Sequence, residues 1–206
     1  ALQKKGMTPA YIYSRTRESA EQLSERLRDV PYSTDISRVP TDGDLYIFAV
    51  KDSALLDLVS RMPSNRGLWV HTAGSMDMEV FAPYTARYGV FYPMQTFSKE
   101  RETDFDDIPI FVETNHTDDT ERLQKLAGRL STKVYEATSE QRKYLHLAAV
   151  FACNFSNHLY ALCDRILSEH GLPFETMLPL IRETAAKVAD MPPAQAQTGP
   201  AIRYDK

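Results

Sequence analysis

At 206 residues the chain is long enough for one large domain or two small ones and can bury a proper core. A hydrophobic content of 43%, a charged content of 25% and a net charge of −4 fit a soluble globular protein and offer no electrostatic case for nucleic acid or an anionic membrane. Cys153 and Cys163 stand ten apart without C-x-x-C spacing, which argues against a disulfide scaffold or a zinc site. With no signal peptide visible, a reducing cytoplasm is the expected compartment.

Residues 1–6 (ALQKKG) read as the last turns of an amphipathic helix closed by a C-cap glycine. AYIY at 10–13 is a short strand, followed by Ser14, Arg15 and Thr16. A surface helix over 18–28 carries Ala20, Leu23 and Leu27, and the segment from Thr34 to Pro40 is irregular. LYIFAV at 45–50 is a continuous apolar run of strand length, which predicts a fully buried parallel strand. Lys51-Asp52-Ser53 opens a helix over 54–62. LWVH at 68–71 is the next strand, closed by Thr72-Ala73-Gly74-Ser75, and a helix is expected over 78–84. Strands at 88–92 and 110–113 flank a long polar connection, with a helix over 120–130 and a last strand at 133–136.

That alternation predicts an α/β fold, an open and mostly parallel sheet with helices on both faces. Beyond Thr138 only helical patterns remain, so the domain boundary is placed there: an α/β domain over 1–138 and an all-α domain over 139–206. The second domain holds a long helix from Ser139 to Cys163, a helix over 174–188, a Pro-rich turn at 191–193 and a loop-like tail.

The long helix carries no Asp, Glu, Lys or Arg from Tyr144 to Cys163, and its apolar residues cover most of the circumference. Such a helix is expected to be buried. Two His, two Asn and a Ser inside the run argue against a membrane span. Lys143, His146, Asn154, Asn157 and His158 gather on the remaining third, as satisfied core groups or as groups meeting a ligand.

Ligands of doubly wound sheets bind beyond the carboxyl ends of the strands. Those ends are Ser14-Arg15-Thr16, Val50-Lys51-Asp52, His71 to Ser75, and Tyr92-Pro93-Met94-Gln95-Thr96. A strand tip that reads the NADP ribose phosphate offers Arg with small hydroxyls, as Ser14-Arg15-Thr16 does. Equally, Thr16 could cap the next helix with Arg15 a solvated charge. His71 is a lone strand-tip histidine, structural or functional, and Tyr92, Gln95 and Thr96 offer a phenol, an amide and a hydroxyl for hydrogen bonding.

The runs VHTAGS (70–75), YGVFYPMQTFSK (88–99), SEQRKYLHLAAVFACNFSNHLYAL (139–162), LPLIRETAAKV (178–188) and QTGPAIRYD (197–205) together resemble a bacterial family of NADP oxidoreductases. Its members join a Rossmann-like domain to a helical domain of unknown function. The family is similar to pyrroline-5-carboxylate reductase, ketopantoate reductase and 6-phosphogluconate dehydrogenase-like proteins. The resemblance implies NADP as cofactor, its phosphate held by Ser14, Arg15 and Thr16. It places Val50 and Lys51 beside the cofactor, His71, Thr72, Ala73, Gly74 and Ser75 along the nicotinamide side, and His146, Asn154 and His158 at the reacting centre. It also implies a homodimer formed through the helical domain.

Two departures stand out. The relatives' K-x-x-x-N spacing is absent: Lys143 and His146 precede Asn154 by eleven and eight residues. The sequence also contains no G-x-G-x-x-G loop to cradle a pyrophosphate. Residues 1–6 match the end of the helix that should follow such a loop, so the chain is expected to be an internal portion of a longer protein, with its first strand and a closing helix missing. The resulting expectation is an oxidoreductase that passes hydride between NADP(H) and a small carbonyl, imine or alcohol carbon. One histidine would act as general acid/base and Asn154 would orient the oxygen. The alternatives are a non-catalytic, NADP-binding dimeric sensor and a Rossmann protein that binds another nucleotide.

Overall fold

The computed structural model describes residues 1–98 and 101–198. By packing, the chain divides into two compact units, Ala1–Ala149 and Val150–Lys206. The division falls within the long helical run that begins near Thr138, so the first three turns of that run pack with the α/β unit.

A 3-10 turn, Leu2–Lys5, opens the first unit and ends at Gly6, whose φ of 75° is the left-handed cap conformation open to glycine. β1 (Ile12–Tyr13) leads into α1 (Arg17–Arg26) and back to β2 (Tyr32–Ser33), which pairs with β1 in parallel. On α1 the buried residues are Ala20 and Ser24, whereas Leu23 is 44% exposed. β3 (Leu45–Phe48), α2 (Asp52–Arg61) and β4 (Leu68–His71) form the next strand-helix-strand unit, with β3 and β4 parallel. β5 (Tyr88–Pro93) is parallel to β4. β6 (Ile110–Thr114) runs antiparallel to β5, α3 (Thr117–Leu130) follows, and β7 (Val134–Glu136) is parallel to β6.

The sheet is therefore mostly parallel, as expected, but it comes in two pieces: β1-β2, and β3-β4-β5-β6-β7 in that order. LYIFAV is not fully buried. β3 is the edge of the larger sheet among the described residues, and only Phe48 of its four residues is buried. The helix expected over 78–84 is a single 3-10 turn, Met78–Phe81. Asp77 caps that turn by accepting from the Glu79 N–H, and Pro83 two residues beyond it removes a donor that a longer helix needs.

Residues paired across the strands share a face, which sorts the core into two layers. One face presents Phe48, Trp69 and Tyr88 to Leu55, Leu58 and Val59 of α2 and to Phe81. The other presents Leu68, Val70, Phe91, Ile110 and Val112 to Leu123, Ala127 and Leu130 of α3. Arg87 straps the start of β5 to α3 through a two-pronged bond to the buried Asp119 carboxylate, at 2.9 and 2.5 Å.

α4 (Ser139–Ala149) begins at a reciprocal cap. The Thr138 hydroxyl accepts from the Gln141 N–H, and the Gln141 side chain accepts from the Thr138 N–H. Thr138, one residue before the expected start, is thus the capping residue. The helical unit continues as a π-helical turn, Val150–Phe155, then α5 (Ser156–Glu169), a 3-10 turn, Phe174–Met177, α6 (Leu178–Asp190) and a short α7 (Pro193–Ala196). α5 ends where Gly171 adopts φ 70° and the Leu172 N–H returns to the Leu167 carbonyl, a Schellman closure. The tail expected as a loop begins at Gln197, and all of it beyond Thr198 lies outside the described residues.

The expectation of a buried long helix is overturned. Leu147, Phe151, Phe155 and Leu159 are each half or more exposed, and no residue of the π turn or α5 is buried. An apolar circumference says that a surface avoids water, not which chain covers it.

Candidate active site

β3, β4 and β5 run in parallel, so the loops that follow them emerge at one edge of the sheet. His71, the last residue of β4, is fully buried. Its Nδ1 accepts from the Ala73 N–H at 3.2 Å, which leaves Nε2 to donate to the Asp77 carbonyl 3.3 Å away. Burial, reinforced by the nearby Arg142 charge, lowers its pKa to about 4. His71 is therefore a neutral brace for the 72–77 loop, not an acid/base at neutral pH. A second brace ties the same loop to α2: Ser75 Oγ donates to Asp52 Oδ2 at 2.7 Å.

Gly74 is the pivot. A Cβ placed on it would lie 2.7 Å from His146 Nδ1, 2.9 Å from the Tyr92 ring and 3.0 Å from the Tyr92 hydroxyl. Only a residue without a side chain lets the loop, the β5 phenol and the α4 imidazole approach so closely. Tyr92 is buried and packs against Phe111 at 6.4 Å. His146 is partly buried, and its ring has no hydrogen-bond partner among the described residues.

α4 is aligned along this loop by three contacts spaced down one helical face. Ser139 Oγ accepts from the Met78 N–H at 3.1 Å, Arg142 donates a short bond to the Met76 carbonyl, and His146 faces Gly74. Below them, Glu113 of β6 accepts from the Ser139 N–H at 2.8 Å, from Ser139 Oγ at 2.7 Å and from Arg142 Nη1 at 2.6 Å. Glu113 and Arg142 escaped the sequence reading. Their separation of 29 residues carries no spacing signal, and Arg142 sits among the polar residues that open the long helix. Lys143 turns instead to Asp77, 3.6 Å away.

The structure thus brings together His71, Thr72, Ala73, Gly74, Ser75, Tyr92 and His146. Val50 and Lys51 are exposed at the end of β3, with Lys51 at the N-cap of α2 and no side-chain partner among the described residues. Ser14 follows β1, and its N–H donates to the Ser33 carbonyl. Thr16 is the N-cap residue of α1, but its hydroxyl bonds Ser19 Oγ at 2.9 Å and caps no backbone N–H. Arg15 is exposed and unpaired among the described residues. Gln95 and Thr96 are exposed and bonded to each other. Asn154, in the π turn, and His158, in α5, belong to the second unit, where both are exposed. Two shallow depressions lie elsewhere, around His116 at the start of α3, and neither touches this loop cluster.

These features suit a dinucleotide. A guanidinium with no partner among the described residues, that of Arg15, follows a strand tip and precedes a helix N-terminus, and Gly74 lets the loop after β4 approach the β5 phenol and the α4 imidazole closely. Parallel strands with crossover helices and a site at the strand ends define a Rossmann-like α/β protein, here followed by a helical unit. Residues 108–206 match a family described as a domain of unknown function (DUF2520). A putative NADP oxidoreductase from Bacteroides fragilis is 51% identical over 98% of this chain and 79% of its own, with a TM-score of 0.88. The chain belongs to the family of that protein. A Thermotoga maritima protein is 25% identical over 95% of this chain and 77% of its own, with a TM-score of 0.80. The reductive aminase of Aspergillus terreus, solved with NADPH and ethyl levulinate, shares the fold at 16% identity, covering 91% of this chain and 67% of its own, with a TM-score of 0.72. No curated protein matches the sequence.

Proposed function

We propose that the protein is an NADP-dependent oxidoreductase that acts on a small carbonyl, imine or alcohol substrate, at a site built around Gly74, Tyr92 and His146. The observation that carries this reading is the meeting of a phenol and an imidazole, the latter without a hydrogen-bond partner among the described residues, over a glycine at the carboxyl ends of β4 and β5. In this reading Ser14, Arg15 and Thr16 hold the ribose phosphate, and Val50, Lys51 and the 72–75 loop border the dinucleotide. NADP(H) supplies or accepts the hydride when bound.

The chain's own residues manage the proton. His146 is the general acid/base at the substrate oxygen or nitrogen: its ring has no hydrogen-bond partner among the described residues, and imidazole is the side chain most suited to that task. Tyr92 orients that atom beside it, and Gln95 and Thr96 border the same strand end. His71 is excluded from proton transfer by its own hydrogen bonds and holds the loop in place.

We also assign a homodimer. Phe151, Phe155, Leu159 and Ile166 leave a row of large apolar groups exposed along the π turn and α5, and Leu180 and Val188 do the same on α6. A second copy of the chain is the partner that would cover them. Among the described residues no helix is long and apolar enough to cross a membrane. The cytoplasm is the compartment that suits two free, exposed cysteines. The reading is tested by NADPH and NADH titration of the wild type and Arg15→Ala, followed by a screen of small carbonyls and imines against His146→Gln. Binding of neither nucleotide overturns it.

A further inference from the structure

Arg142 is unusual for a charged residue: its side chain is entirely buried. It reaches outward from α4 to two elements at once. Nη1 donates to Glu113 of β6, while Nη2 donates to the Met76 carbonyl and to Ser139 Oγ at 3.2 Å. Nε has no partner among the described residues. A residue whose only task is to neutralise Glu113 needs no second branch. The second branch fixes the backbone of the loop that carries Gly74, and His146 stands one turn further along the same helix face.

We propose that Arg142 is the positioning residue of the site. By joining the Met76 carbonyl to α4 it sets the spacing between the 72–77 loop and His146, while the Glu113 arm holds α4 to the sheet. The role rests on the reading that Gly74 and His146 belong to the dinucleotide and substrate site. It differs from simple fold support because the two arms have separable effects.

Three variants test it: Arg142→Lys, Glu113→Gln and the double Arg142→Met/Glu113→Gln. Lysine keeps the charge near Glu113 but cannot present a planar fork to two acceptors. Three readouts are taken on each protein: thermal melting, amide hydrogen exchange at Ala73 and Met78, and NADPH affinity by nucleotide fluorescence. The Ala73 and Met78 amides are bonded to His71 and Ser139, and so report loop position directly.

Arg142→Lys is expected to keep cooperative melting yet exchange Ala73 and Met78 roughly tenfold faster and bind NADPH roughly tenfold more weakly, the scale of one lost hydrogen bond to a charged donor. Glu113→Gln is expected to melt earlier with loop exchange near wild type, because the Met76 bond survives. The double variant, free of an uncompensated, partly buried carboxylate, is expected to show the loosened loop. Wild-type protection of Ala73 and Met78 in both folded Arg142 variants overturns the proposal, as does equal loosening in Glu113→Gln. If the loop loosens as expected but the wild type binds no NADPH, the positioning role stands and the cofactor assignment falls.

Discussion

The Tyr92 hydroxyl and His146 Nδ1 stand 3.0 and 2.7 Å from one point, the place where a Cβ on residue 74 would sit. Strand β5 supplies one group and helix α4 the other, and the loop after β4 passes between them without a side chain. Gly74→Ala forces the two groups apart. Both are ends of side chains able to shift, so the expected loss of stability is modest, about 1–2 kcal/mol by chemical denaturation. NADPH affinity or turnover should fall by at least about tenfold, the effect of a small misplacement at a site. Wild-type binding and turnover in Gly74→Ala would contradict the site's placement.

Gly89 offers the contrast. A Cβ there meets the Glu113 carbonyl and lies 2.9 Å from the Thr114 Cα, backbone atoms that cannot rotate away. Gly89→Ala is expected to break the β5–β6 ladder and lower stability by about 3 kcal/mol or more. Urea melts of the two glycine variants side by side check the ranking.

His71 makes a pH prediction. Its folded pKa of about 4 lies below the ordinary value of 6.5, so between those values the unfolded chain binds a proton that the folded chain refuses. Stability is full above about pH 6.5 and declines as the pH falls toward 4, by up to about 3 kcal/mol. The carboxylate of Asp119, held below its usual range first by its hydrogen bond to Arg87, adds a separate loss at still lower pH. Urea unfolding measured from pH 7.5 to 4.5 should show the slope in wild type and a flatter one in His71→Asn. Identical slopes would remove His71 as the cause.

The apolar row on the helical unit predicts assembly. Phe151 and Phe155 pack edge to face at 5.0 Å, and both are half or more exposed. Phe151→Asp with Leu159→Asp is expected to turn a dimer into a monomer by light scattering, leaving the α/β unit's melting transition in place. A wild-type monomer at high concentration would contradict the assignment.

Much of the fold was legible because parallel strands write themselves as apolar runs. LWVH became a strand buried at all four positions, and YGVFY became β5. LYIFAV looked the same but is the edge strand among the described residues, since burial on the two faces and pairing at the two edges are different matters. The antiparallel direction of β6 was not read from the sequence, although the connection before it shows no helix among the described residues and a parallel return ordinarily needs a crossover helix. β2 escaped notice because a two-residue ladder of Tyr32 and Ser33 has no pattern of its own. At the site, Gly74, Tyr92 and His146 were each named from the sequence, but their meeting was not, and neither was the Glu113–Arg142 pair. Contacts between residues dozens of positions apart leave no periodicity to read. The spread of polar groups on the long helix also assumed one regular α-helix, which the π turn at Val150–Phe155 interrupts.

The most direct measurement is a pair of titrations, NADPH and NADH, against wild type and Arg15→Ala. Arg15 is exposed, unpaired among the described residues and set between β1 and α1, so its loss should leave the fold unchanged. NADPH is expected to bind wild type more tightly than NADH. Arg15→Ala should weaken NADPH by about 10- to 100-fold, the worth of charge-assisted hydrogen bonds to a phosphate, and leave NADH unchanged. Equal affinity for the two nucleotides in wild type, or binding of neither, would contradict the account.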